Sequence, residues 1–417
     1  MEMKKYKLSE IAYFVEEKIS SDRLTLNEYI TTDCLLQNKK GRTVATNLPP
    51  QPCGLTKFKK GDVLIGNIRP YLKKLWFADS DGGCSLDVLV LRAKKIEEAS
   101  FLYSLLMQDD FFDFVMKAPT GTKMPRGDKN HILSYPCFDI QNKIKVGNFI
   151  KLLDDKIALN HRINAKLEAM AKRLYDYWFV QFDYPDKNGK PYKTSGGKMV
   201  WNEVLKREIP EGWEVGKIED FCRIFTGKKD VNQSLESGRY KFFSCAPVYK
   251  FSNDKIFEGK AILISGNGSY TGRTIFVNDA FDLYQRTYCV VLKTSTINCL
   301  EYIFYTTKRF LTIKVNGGTH GSAIPYIVYN DIAKECFPFS EKIVRNFQIK
   351  IIPILSKILN NEKEIQKLTN LRDRLLPLLM NGQVEVGTNN SSEFCNAKLG
   401  KQATACDMNG QVEVVEE

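Results

Sequence analysis

Three short stretches near the start of the chain set cations and hydrogen-bonding side chains in loops built around glycine or proline. They are NKKGRT with Lys39, Arg42 and Thr43, NIRPYLKK with Arg69, Tyr71, Lys73 and Lys74, and GTKMPRGDK with Lys123, Arg126 and Lys129. About 200 residues later the corresponding loops hold Lys228, Lys229, Asn267, Ser269, Tyr270, Arg273 and Arg286, with His320 and Ser322 in a glycine-rich loop. Such side chains suit a polyanion with readable edges: Lys and Arg hold phosphates, Arg forks onto guanine, and Asn pairs with adenine through two hydrogen bonds. Part of the set serves as solvated charge or phosphate contact, and Tyr71 and Tyr270 equally suit the edge of a core.

The residues that would do covalent chemistry are missing. An adenine methyltransferase needs a short Asn/Asp-Pro-Pro-aromatic motif, and NLPPQ at Asn47 has the wrong spacing and no aromatic. GNGSYTG at Gly266 is one residue too long for GxGxxG, and GGKM at Gly196 lacks the Ser or Thr that follows the lysine of a phosphate loop. The three histidines, His131, His161 and His320, have no metal-ligand spacing. No catalytic residue and no metal site is expected in this chain.

Composition agrees with a binding protein. The net charge is +12, and because residues 387–417 hold five acidic and two basic side chains, residues 1–386 carry +15. That surplus suits nucleic acid, with ordinary solubility charge as the alternative. Eleven cysteines without a CxxC pair suit reduced thiols. With charges interrupting the start and no membrane-length apolar run, a soluble, cytoplasmic protein is expected.

Elements that could position these loops occur twice. FKKGDVLIGNIRPYLKK from Phe58 matches FEGKAILISGNGSYTGR from Phe257 in plan: a lead-in, a glycine, an apolar strand and a turn into a polar loop. SLDVLVL and TYCVVL both read as buried strands. Each half then ends in a helix with 4-3 apolar spacing. The first seam runs through Val146, Ile150, Leu153, Ile157, Asn160, Asn164, Leu167, Ala171, Leu174 and Trp178. The second runs through Phe347, Ile351, Ile354, Ile358, Asn361, Ile365, Leu368, Arg372, Leu375 and Leu379. Heptads sustained this far predict a coiled coil, with Asn160 and Asn361 fixing its register; two helices, each lying on its own half, are the alternative.

The expected organisation is α+β: a mixed domain over 1–140, a helix over 141–182, a crossing linker over 183–211, a second mixed domain over 212–338 and a helix over 339–386. Residues 387–417 are expected to lack structure. The heptapeptide MNGQVEV occurs at Met380–Val386 and again at Met408–Val414. In the first copy Asn381-Gly382 should cap the preceding helix; in the second there is no apolar stripe to stop.

WFVQFDYPDKNGKPYKTSGGKMVWNEVLKREIPEGW, LRDRLLPLLMNGQVEV and FKKGDVLIGNIRPYLKK together resemble the specificity subunits of type I restriction-modification systems, and the resemblance covers residues 1–386. It implies two target recognition domains alternating with two antiparallel helices, and a subunit without catalytic activity. It also implies a bipartite asymmetric site on double-stranded DNA. Two modification subunits and restriction subunits are the implied partners, with S-adenosylmethionine, ATP and Mg bound on them and none on this chain. Arg162, Lys166, Glu364 and Lys367, beside the seam, are candidate contacts to modification subunits, with a solvated helix face as the alternative. Lengthening the first helix by one heptad, about 10 Å, should alter the unread spacer between half-sites.

Overall fold

The computed structural model describes residues 5–121, 124–294, 296–317, 325–386, 395–399, 402–406 and 412–414. The chain divides into two compact units, one made of 1–159 and 364–417, the other of 160–363. The two mixed domains share a plan. In the first, strand Lys5–Lys7 pairs with Pro136–Phe138, a one-turn helix Leu8–Ile11 follows, and strand Ala12–Phe14 opens an antiparallel sheet. That sheet runs Ala12–Phe14, Val88–Ala93, Val63–Gly66, Leu75–Phe77. In the second, Glu214–Lys217 pairs with Cys336–Phe339, helix Ile218–Phe221 follows, and the sheet begins Cys222–Thr226, Thr287–Leu292, Phe257–Ser265, Thr274–Leu283.

One difference has a local cause. Phe257–Ser265 and Thr274–Leu283 run unbroken, so Tyr240–Phe243 and Lys250–Ser252 join them in a single six-stranded sheet. In the first domain the matching ladder is interrupted at Lys59-Lys60-Gly61, where Gly61 takes a φ of 93°. The buried carboxylate of Asp62 closes this turn, accepting from Lys59 N–H at 2.7 Å and from both Nε and Nη2 of Arg92 at 2.7 and 2.8 Å. Two four-stranded sheets result.

The long helices span Lys143–Tyr175, prolonged by a π-helical turn over Asp176–Val180, and Glu341–Met380. Each supplies one end to each unit. Val146 and Ile150 join Leu376, Leu379, Met380 and Val384 in the core of the first domain. Ala171, Tyr175, Trp178 and Phe179 join Val344, Phe347, Ile351, Leu355 and Ile358 in the core of the second. The helices are therefore antiparallel, and neither folds back on its own half alone. Phe179 lies 4.4 Å from Tyr302 and 5.1 Å from Phe347, ring to ring, so aromatic packing joins both helices to helix Leu300–Gly317.

Every residue of the first seam is buried or half-buried, Leu167 and Leu174 being half-buried. In the second, Ile351, Ile358, Asn361, Arg372 and Leu379 are buried and Ile354, Ile365, Leu368 and Leu375 are half-buried. At Ile354 and Leu375 the buried position slips by one, to Leu355 and Leu376. A helix of 3.6 residues per turn drifts against a strict seven-residue repeat, and here the two ends face different domain cores. The seam is polar at its centre. Asn361 Nδ2 donates to Asn164 Oδ1 at 2.8 Å and Asn164 Nδ2 to the Ile358 carbonyl at 3.2 Å, all three residues being buried.

The first helix also approaches helix Ala99–Leu106 closely. A Cβ on Gly147 would lie 2.3 Å from Phe101 N and 2.6 Å from its Cα. Gly147→Ala is therefore expected to cost about 1–3 kcal/mol, read as a lower urea midpoint; an unchanged midpoint would contradict the close packing.

One expectation needs correction. The 183–211 stretch is folded: Met199–Asn202 and Arg207–Pro210 form a hairpin, Tyr184 stacks on Tyr192, and Ile209 is buried. Arg207 lies over the Phe182 ring and donates to the Val180 carbonyl, satisfying the end of the first helix. Aromatic side chains anchor this segment despite its Gly, Pro and Lys content. Most of the stretch 387–417, expected to be largely without structure, lies outside the described residues. Its described residues form a three-stranded antiparallel sheet, Cys395–Leu399, Gln402–Cys406 and Val412–Val414, because backbone pairing needs no apolar stripe.

The first MNGQVEV does cap its helix. Gly382 has φ 64°, its N–H donates to the Leu379 carbonyl at 3.2 Å, and Gln383 N–H donates to Leu378 at 2.9 Å. This bond pair is the Schellman arrangement, and Val384 is buried beside it.

Candidate nucleic-acid interface

The repeated strands end in repeated turns. In the first domain Gly66 N–H donates to the Lys74 carbonyl (3.0 Å), Asn67 to Asp87 (2.8 Å), Arg69 to Pro125 (2.9 Å) and Leu72 to Arg69 (2.9 Å). In the second, Ser265 donates to Arg273 (2.9 Å), Gly266 to Arg286 (3.0 Å), Gly268 to Pro325 (3.1 Å) and Thr271 to Gly268 (3.0 Å). The same four bonds hold the same turn, and they tie it to two other loops in each domain. Further loops join them. Asn38 and Lys39 donate to the Leu72 and Lys73 carbonyls, while Gln285 N–H donates to the Lys229 carbonyl and so brings the Lys228-Lys229 loop beside Arg286. The stretches singled out in the sequence thus converge in each domain.

Many of their cations are internally engaged. Lys39 and Lys73 each reach Asp109 Oδ1 at 2.8 Å. Burial pushes the Asp109 carboxyl up, but hydrogen bonds and charge from the two ammonium groups outweigh it and leave it below the usual carboxylate range. Arg42 stacks on Trp76 at 4.6 Å and donates to the Asn27 carbonyl. Lys74 donates to the Thr32 carbonyl, and Arg126 pairs with Asp87 at 2.9 Å. Lys129 stands over the Phe14 ring. In the second domain Lys229 contacts Asp254 and Asp282, both at 2.8 Å, and the hydrogen bonds it donates to these carboxylates raise its pKa. Arg273 donates to the Ala246 and Pro247 carbonyls, and burial lowers its pKa. Asn267 Oδ1 accepts from the Cys245 thiol. Lys39, Arg42, Lys73, Lys74, Lys229 and Arg273 are half-buried and build the loops, whereas Arg126 and Lys129 stay exposed despite their partners.

The outward set adds Arg69, Thr43, Lys228, Ser269 and Arg286 to these two, and Tyr71 and Tyr270 are exposed as well. Lys123, His320 and Ser322 lie outside the described residues. Sequence reasoning missed Lys40, exposed in the same NKKGRT stretch, and Asp109, the anion that occupies its neighbours. Among the proposed helix contacts, Arg162, Lys166 and Lys367 are exposed, whereas Glu364 is engaged with Lys156 at 3.5 Å. Among the described residues no His/Cys/Asp/Glu group could hold a metal ion, the nine cysteines from Cys34 to Cys336 are free thiols, and no helix is long and apolar enough to cross a membrane.

Asp109→Asn is expected to release Lys39 and Lys73. Nonspecific duplex affinity should rise about three- to tenfold at low salt, with a steeper salt dependence. Unchanged anisotropy titrations across a salt series would show that these lysines do not face DNA.

Each of the two domains thus ends its repeated strands in a cluster of loops that carries cations. The family model described as "Type I restriction modification DNA specificity domain" matches residues 210–371. The type I restriction enzyme MjaIX specificity subunit of Methanocaldococcus jannaschii is 23% identical over 368 residues, with 83% of each chain covered. The HindI specificity subunit of Haemophilus influenzae is 24% identical, covering 91% of this chain and 99% of its own. The crystal structure of a type I S subunit from M. genitalium shares the fold at a TM-score of 0.60 and 14% identity, covering 91% of this chain and 96% of its own. Over most of its length this chain is similar to specificity subunits of type I restriction-modification systems, and residues 210–371 match that specificity domain.

Proposed function

We propose that this chain reads a bipartite, asymmetric site on double-stranded DNA and brings adenine methyltransferase and restriction subunits to it in the cytoplasm. The observation that carries this reading is the duplicated turn: the same backbone hydrogen bonds in both domains, dressed with different side chains, Arg69 and Pro70 against Gly268 and Ser269. A shared frame with unlike side chains suits two half-sites of unlike sequence. Two modification subunits and the restriction subunits supply the chemistry, and S-adenosylmethionine, ATP and Mg belong to them. Adenine must leave the base stack to be methylated, and the pocket that receives it is the partner's. This chain holds the duplex in register.

The test is single-molecule sequencing for methylated adenine in cells that express the chain with its modification subunit. Two unlike half-sites around a constant unread spacer are expected. A palindromic or uninterrupted motif, or no chain-dependent methylation, would overturn the proposal.

A further inference from the structure

The matched turns share one outward residue. Tyr71 follows Arg69 by two positions and Tyr270 follows Gly268 by two, so both occupy the same place between the same backbone bonds. They are 50% and 48% exposed. Both preceding anchor residues take positive φ, 52° at Arg69 and 82° at Gly268, so the turns present this position alike. Among the described residues neither phenol hydroxyl has a hydrogen-bond partner, although nearby Lys74 and Arg273 are both turned inward onto loop carbonyls. A core-edge role would leave a tyrosine mostly covered; here the ring is half bare and the hydroxyl is available.

We infer that Tyr71 and Tyr270 are sequence-independent anchors, each donating its phenol hydroxyl to a DNA backbone phosphate beside its half-site. This deepens the DNA-recognition reading and rests on it. The argument turns on identity. Where two half-sites differ, a residue common to both domains at one structural position cannot account for the difference. What both half-sites have in common is the sugar-phosphate backbone, and tyrosine hydroxyls are established phosphate donors. Each anchor also has an exposed arginine close by, Arg69 in the same turn and Arg286 hydrogen-bonded through its carbonyl to Gly266. The arginines would carry the counterion-releasing part of the contact. The tyrosines would set position.

The test uses the full chain assembled with its modification subunit, and anisotropy titrations on two probes: a duplex carrying the methylated motif and one of random sequence. Tyr71→Phe and Tyr270→Phe remove only the hydroxyl. Each is expected to weaken both probes by the same factor, about two- to tenfold. The salt slope should be unchanged, because a neutral donor releases no counterion, and the methylated motif should be the same. Arg69→Ala, by contrast, should reduce the slope by about 0.9. Weakening confined to the motif duplex, or relaxed sequence at one half-site, would make the tyrosines base readers and overturn the inference. So would unchanged affinity for both probes. If the unaltered complex bound neither duplex, the DNA-recognition reading itself would fail, an outcome distinct from either of these.

Discussion

Arg372→Ala is expected to destabilise the first unit by about 3–5 kcal/mol, a larger effect than any loop substitution. Arg372 is a charged residue on the seam of the second helix, its side chain only 8% exposed. Its Nη1 reaches Asp154 Oδ1 on the first helix at 2.6 Å, and its Nη2 reaches Asp373 at 2.8 Å. The Tyr103 hydroxyl donates to the other Asp154 oxygen at 2.5 Å, which draws helix Ala99–Leu106 into the same network. Alanine would leave Asp154 facing the seam without its cation, and that uncompensated charge accounts for most of the cost. Hydrogen exchange should show the loss in Ala99–Leu106 and not in Leu300–Gly317. Pairing Arg372→Met with Asp154→Leu should recover most of it, since an apolar pair of similar bulk needs no solvation. If the single and double variants were equally unstable, side-chain packing rather than charge would be responsible.

Seven residues added to both long helices, after Leu159 in the first and after Lys363 in the second, are expected to change the methylated motif in its spacer alone. Seven helical residues add about 10 Å, close to three base pairs of duplex at roughly 3.4 Å each. The half-sites should be untouched, because the loop clusters lie outside the helices. Both helices must be lengthened. Antiparallel pairing sets Asn164 against Ile358 and Asn361 on one side of the insertion and Asp154 against Arg372 on the other, and extending the first helix alone would put these two sets of contacts out of register. The single extension should therefore lower stability instead of moving the spacer. A matched insertion that left the spacer constant would refute a ruler function for the helices.

The two copies of MNGQVEV show how far local sequence reaches. Asn381-Gly382 caps a helix because forty residues of Glu341–Met380 arrive there with carbonyls to satisfy. Val412–Val414, from the second copy, lies in a strand against Gln402–Cys406. Identical residues take the structure that their neighbours offer. The stretch 183–211 teaches the same lesson from the other side: its lysines and glycines read as a crossing segment, yet Ile209 and the Tyr184–Tyr192 stack anchor it.

By itself the sequence determined the duplication, the length and polarity of both helices, the glycine cap and the loops that gather at the ends of the strands. These follow from periodicity and from backbone geometry, which act between residues close in the chain. Only the tertiary structure decided which side chains those loops present. Lys39 and Lys73 meet Asp109, Arg42 meets Trp76, and Arg273 meets Ala246 and Pro247, each across a long sequence separation. A cation's charge can be counted in a sequence, but whether an anion or a carbonyl already holds it depends on contacts that exist only after folding.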